Sequence, residues 1–77
     1  MSDTPGPWRR LGREHFQRCG GHGTRVYRYM RGVYRWQVYA PPRRGTDPVL
    51  EAGAADTLAA AKRAATAALI RHAPMPF

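Results

Sequence analysis

The stretch from Thr24 to Ala40, TRVYRYMRGVYRWQVYA, constrains the chain more than any other. It is dense in Tyr, Val and Trp, which fit a pleated, half-buried surface. Its one turn signal is Arg31-Gly32. Two strands around one tight turn are therefore expected. An even loop, either Arg31-Gly32 or Met30 to Val33, sets Tyr29 opposite Tyr34, Arg28 opposite Arg35, Tyr27 opposite Trp36 and Val26 opposite Gln37. Opposite residues share a face of the sheet. In this register one face carries Tyr27, Tyr29, Tyr34, Trp36 and Val38. The other carries Arg28, Arg35, Gln37 and Tyr39, beside Val26. An odd loop would mix arginines with aromatics on both faces, so the even register is the expectation. Arg-Gly is a weak two-residue hairpin signal, because a type I′ turn needs positive φ at Arg31.

The flanks extend this sheet. Arg13 to Cys19 alternates weakly and reads as an earlier strand, joined through a four-residue loop, Gly20 to Gly23. Phe16 then stands across from Tyr27, His15 from Arg28 and Gln17 from Val26. Pro41 and Pro42 end the third strand, since neither can donate to a ladder. Arg43 to Pro48 reads as a polar loop and Val49 to Gly53 as a short fourth strand. Asp56 or Thr57 can cap a helix running from about Leu58 to His72, stopped before Pro74. Leu58, Ala61, Ala65, Ala68 and Leu69 form its apolar stripe. Ile70 lies on the flank, where Met75 and Phe77 can meet it. The expected class is α+β: a three- to four-stranded antiparallel sheet packed on one C-terminal helix. Phe16, Tyr27, Tyr29, Tyr34, Trp36 and Val38 are expected to face that helix. Met1 to Pro7 reads as a disordered leader, and residues 8–77 as one small domain with Trp8 as its first anchor. Arg9 to Gly12 is a basic approach segment with no assigned conformation.

A chain of 77 residues with a net charge of +8 has the electrostatic footprint of a polyanion binder. A GC-rich coding sequence also yields much Arg, Ala, Gly and Pro, and all but one of the thirteen basic residues are arginine. The single cysteine, Cys19, excludes an internal disulfide and fits a reducing, cytoplasmic setting. Lys62, Arg63 and Arg71 interrupt the alanine-rich segment, which is no transmembrane span. The first residues lack the charged-then-apolar layout of a signal peptide.

Most site chemistry is excluded by spacing. His15, Cys19 and His22 could supply three ligands near one loop, but zinc sites need four, or three and an open position. No metal and no cofactor is expected. Gly20 to Gly23 joins two strands, whereas phosphate-cradling loops lead into a helix. The five acids share no paired-carboxylate or triad pattern, so no catalytic residue is assigned and the chain is not expected to be an enzyme. What remains is the polar sheet face: His15, Gln17, Arg28, Arg35, Gln37 and Tyr39, with Arg31, Arg43 and Arg44 in adjacent turns. Arg and Gln can hydrogen-bond base edges, and Arg also contacts phosphates. Arg28 opposite Arg35 would be an unfavourable like-charge pair that a bound anion relieves.

Arg31-Gly32-Val33 and Trp36, followed by Gly53, Thr57 and Ala61 at four-residue steps, resemble motifs of the sheet-plus-helix DNA-binding domains of plant ethylene-response factors and phage integrase arm-binding domains. The resemblance covers about half the chain. It implies a three-stranded sheet on one helix, with DNA read in the major groove by the sheet. Carried over by position, it implicates Arg31, Arg35 and Trp36 in DNA contact. Only Tyr34 and Arg35 separate Arg-Gly-Val from the Trp here, fewer than in the plant family, and the Ala-Tyr-Asp of its helix is missing.

Two function classes fit these observations. One is a small basic module that binds nucleic acid, DNA before RNA, through the outer sheet face. The other is an inhibitor or adaptor of the kind phages and mobile elements encode. It would bind an acidic or nucleic-acid-binding host protein such as a nuclease or CRISPR effector.

Overall fold

The strands follow one another across the sheet in chain order. The computed structural model describes residues 5–41 and 49–73. Five strands, β1 (Arg9–Leu11), β2 (Glu14–Cys19), β3 (His22–Met30), β4 (Val33–Tyr39) and β5 (Val49–Ala55), form an antiparallel meander in the order β1-β2-β3-β4-β5. One helix, α1 (Leu58–His72), covers one face. The α+β class and the helix bounds are as expected from sequence. The sheet gains a strand, β1, whose three residues are too few to show an alternating pattern. Among the described residues no helix is long and apolar enough to cross a membrane.

Helix α1 forms where alanine saturates the chain. Thr57 is its N-cap, with Oγ1 accepting from the Ala60 N–H at 3.1 Å. Ala61, Ala65, Ala68 and Leu69 are its buried stripe, and Ile70 is exposed. Met75 and Phe77 lie outside the described residues. Small helix residues allow close approach to the sheet, and Trp36, Val26 and Val38 fill the volume. Trp8 packs against this core, as expected of a first anchor. Gly6, within the expected leader, is tied to β2: its N–H donates to the Arg18 carbonyl at 2.7 Å, and its carbonyl accepts from Gln17 Nε2 at 2.9 Å.

The β3–β4 register differs from the expected one, and the turn explains why. Arg31 and Gly32 do form the two-residue loop, with Met30 opposite Val33. Gly32 has φ +75°, while Arg31 keeps negative φ, so the turn is not type I′. Unprimed turns match strand twist poorly, and here β3 takes in one extra residue, Tyr29, as a bulge. Past the bulge the pairs are Arg28–Tyr34, Tyr27–Arg35, Val26–Trp36, Arg25–Gln37 and Thr24–Val38. A slip of one residue sends every side chain of a strand to the other face. Strand β4 keeps its expected orientation, with Tyr34, Trp36 and Val38 toward the helix. Strand β3 is inverted: Thr24 and Val26 are buried, and Tyr27 and Tyr29 are on the outer face. Strand β2 inverts with it. Its turn is Gly20-Gly21, with Cys19 opposite His22 and Phe16 opposite Arg25. That register lies two residues from the expected one, which preserves the face relation between β2 and β3.

The expected aromatic core is therefore corrected. Tyr34, Trp36 and Val38 point to the helix, whereas Phe16, Tyr27 and Tyr29 do not. The Arg28–Arg35 pair does not form. Arg28 stands opposite Tyr34, and Arg35 opposite Tyr27.

Candidate functional site

Among the described residues no helix covers the outer face. Its central rows are Glu14, Tyr27, Arg35 and Ala54, then Phe16, Arg25, Gln37 and Ala52. Arg18 and Tyr39 flank them, and Tyr29 projects from the bulge. Aromatic rings and guanidiniums alternate across this surface. The Arg35 guanidinium lies over the Tyr29 ring at 3.8 Å from its centroid, and that of Arg25 over Tyr27 at 4.5 Å. Stacking of this kind stabilises an exposed pair by roughly 0.5–1 kcal/mol and holds both planes in place. The Tyr39 hydroxyl donates to Gln37 Oε1 on the same face. Tyr29 is 50% exposed and Arg35 is exposed, while Phe16, Tyr27 and Tyr39 are half-buried.

Charge on this side is only partly compensated. Glu14 pairs with Arg25, and this hydrogen bond is the main reason the Arg25 pKa rises above its ordinary value. Glu51 is engaged at the other end of the fold, with Arg71 at 2.6 Å and His72 at 2.9 Å. Among the described residues no carboxylate lies within ion-pair distance of Arg10, Arg13, Arg18, Arg28, Arg31 or Arg35.

Several of these arginines meet at one end of the sheet. Pairing of β2 with β3 stops at Glu14–Tyr27, but β3 continues to Met30. The β3–β4 hairpin thus overshoots the β1–β2 turn. A shallow concavity forms at the step, lined by Arg10, Arg13, Arg28 and Arg31 together with Glu14, Tyr27, Tyr29 and Met30. Arg10 Nε donates to the Gly12 carbonyl at 2.9 Å.

Of the site residues expected from sequence, Arg35, Gln37 and Tyr39 lie on the outer face and Arg31 lies in the hairpin loop, whereas Arg28, opposite the inward Tyr34, is corrected to the helix side of the sheet at the edge of the step. His15 and Gln17 are corrected to the helix side, because β2 inverts together with β3. Gln17 is 6% exposed, and its amide is used internally: Nε2 donates to the Gly6 carbonyl and Oε1 accepts from Thr66 Oγ1 at 2.6 Å. His15 stands opposite Val26. Burial first, then the charges of Lys62 and Arg10, lower its pKa from the ordinary imidazole value. Trp36, implicated by the resemblance, is 8% exposed beneath the helix. Arg43 and Arg44 lie outside the described residues. Sequence reasoning missed Phe16, Tyr27 and Tyr29 as surface residues, and Arg10, Arg13 and Arg25 as their neighbours. The alternation of Thr24 and Val26 with Arg25 and Tyr27 was the available signal, since β-branched side chains suit the buried face.

Cys19 and His22 are cross-strand partners, but no group of three or more His, Cys, Asp or Glu side chains placed to hold a metal occurs among the described residues. No protein-family model, curated protein or solved structure matches the chain at a significant level.

Proposed function

We propose that this protein is a small nucleic-acid-binding module that uses the outer face of its sheet, with the arginine-lined step at the β3–β4 turn as part of the same surface. One observation carries the reading. The Arg35 guanidinium, which has no carboxylate partner among the described residues, stacks on the half-exposed Tyr29 ring on the face that the helix leaves open, and Arg13 and Arg31 line the step beside it. Arg contacts phosphate as a bidentate donor, and aromatic rings accept bases, so the two residue types serve the two halves of a nucleotide. The net charge of +8 supplies the long-range attraction.

The test is a fluorescence-anisotropy titration of labelled DNA and RNA over a range of salt. Binding through phosphates makes log K fall linearly with log salt, by about 0.9 per phosphate neutralised on duplex and about 0.7 on a single strand. The double substitution Arg13→Gln with Arg31→Gln, at two exposed residues of the step that have no ion pair among the described residues, should lower that slope by about 1.4–1.8 while the variant melts like the parent. Absence of binding to any nucleic acid at low salt would refute the proposal, as would a double variant that binds as tightly as the parent.

A further inference from the structure

The class of nucleic acid follows from what the face offers, given the binding surface proposed above. We infer that the ligand is a single strand, with bases stacked on the Tyr27, Tyr29 and Arg35 cluster and adjoining phosphates held by Arg13 and Arg31 at the turns.

Three observations lead there. First, a duplex keeps its bases stacked on each other and presents only their edges and the phosphates, whereas unpaired bases stack on aromatic rings and on guanidinium planes. The outer face provides both kinds of plane. Second, each ring already accepts a flat group at stacking distance: Arg35 on Tyr29 at 3.8 Å and Arg25 on Tyr27 at 4.5 Å. A base can extend such a stack or displace the guanidinium from it. Third, five strands span roughly 19 Å, at about 4.8 Å between neighbours. The major groove is about 12 Å wide, so the sheet face as a whole cannot enter it. Only the hairpin tip fits, and a duplex held by the tip leaves the Tyr27 ring idle. Tyr27 and Tyr29 themselves line the step together with Arg13 and Arg31, so rings for bases and guanidiniums for phosphates belong to one continuous surface.

The experiment compares three labelled probes of equal length at one salt concentration: oligo-dT, the same backbone with abasic sites, and a duplex. Oligo-dT should bind at least about tenfold tighter than either of the others. Tyr29→Ala should weaken oligo-dT about 5- to 150-fold, the range expected for loss of one stacked base, and leave the abasic probe unchanged. Tyr29→Phe should restore oligo-dT binding. Thermal melting of each variant accompanies the titrations, and the comparison of probes on the parent protein needs no variant at all. Equal or tighter binding of the duplex or the abasic strand overturns the single-strand inference while leaving nucleic-acid binding intact. No binding of any probe overturns both.

Discussion

Adding one methyl group at Gly53 tests the packing on which the whole sheet depends. Gly53 lies on β5 directly opposite Trp36, and the indole rests against it. A Cβ built there falls 2.5 Å from Trp36 Cζ2, 2.7 Å from Cε2 and 2.9 Å from Nε1. Ordinary carbon contacts are about 3.5–4.0 Å, so the overlap is roughly 1 Å against three atoms of a rigid ring. The ring has little freedom to yield. It is buried in one core with Val26, Val38 and the helix alanines. Overpacking of this kind costs about 1–3 kcal/mol, and three simultaneous overlaps place Gly53→Ala near the upper end. Alanine also relieves the backbone-entropy cost of glycine in a strand, worth about 0.5–1 kcal/mol in the opposite direction. The net expectation is a loss of about 2 kcal/mol, or a fall of about 8–16 °C in melting temperature for a domain of this size. Thermal unfolding followed by circular dichroism reads it directly. In a Trp36→Phe background the same substitution should cost measurably less, since the smaller ring vacates part of the contested space. Residue propensity alone predicts stabilisation. A Gly53→Ala protein that melts at or above the parent temperature would therefore refute the close Trp36–Gly53 contact.

Other outcomes follow from the same packing. Trp36→Ala should lose about 3–5 kcal/mol, enough to unfold a domain this small, and a cooperative near-native melt would contradict its place in the core. Gly32→Ala should lose about 1–2 kcal/mol, because the β3–β4 turn needs positive φ there, whereas Gly32→Asn should be milder; equal melting of the parent and both variants would speak against the turn geometry. Hydrogen bonding from His72, with help from the nearby Arg71 charge, holds the Glu51 carboxyl below its ordinary range. The folded state therefore takes up that proton less readily than the unfolded chain, and the resulting stabilisation is complete above the ordinary carboxylate value and lost as pH falls through the lowered one. Glu51→Gln should accordingly lower the melting temperature at neutral pH, with the gap closing in acid; a gap independent of pH would remove the charge from the explanation.

Apart from the three-residue β1, the elements of this fold are legible in the sequence because each has a local signal. Alanine saturation and the Thr57 cap mark the helix, and Tyr, Val and Trp mark β3 and β4. The inward side of β4 and the buried helix stripe are legible too, because periodicity alone sets them. The faces of β2 and β3 are not. They depend on whether the chain fits one extra residue beside Arg31-Gly32, which the backbone geometry of that turn decides. Pairing aromatics with aromatics is a plausible rule for choosing a register, and here it buries the wrong set. The consequence falls on the site: His15, Gln17 and Arg28 belong to the helix side, and Tyr27 and Tyr29 to the outer face, the reverse of what aromatic pairing implies. Arg35 and Arg31 were identified regardless, because β4 and the loop lie beyond the point where the register breaks.

The bulge at Tyr29 also determines which kinds of inherited change this protein can absorb. Deleting that one codon would leave strand propensities nearly intact and the net charge unchanged. It would nevertheless ask the sheet to turn Arg25 and Tyr27 toward the helix and Thr24 and Val26 toward water. Side-chain identity at the bulge can drift, provided the number of residues between Arg28 and Val33 does not. Length at this hairpin is thus under tighter constraint than chemistry, the reverse of what holds for most surface turns, where insertions and deletions are the changes most readily accepted.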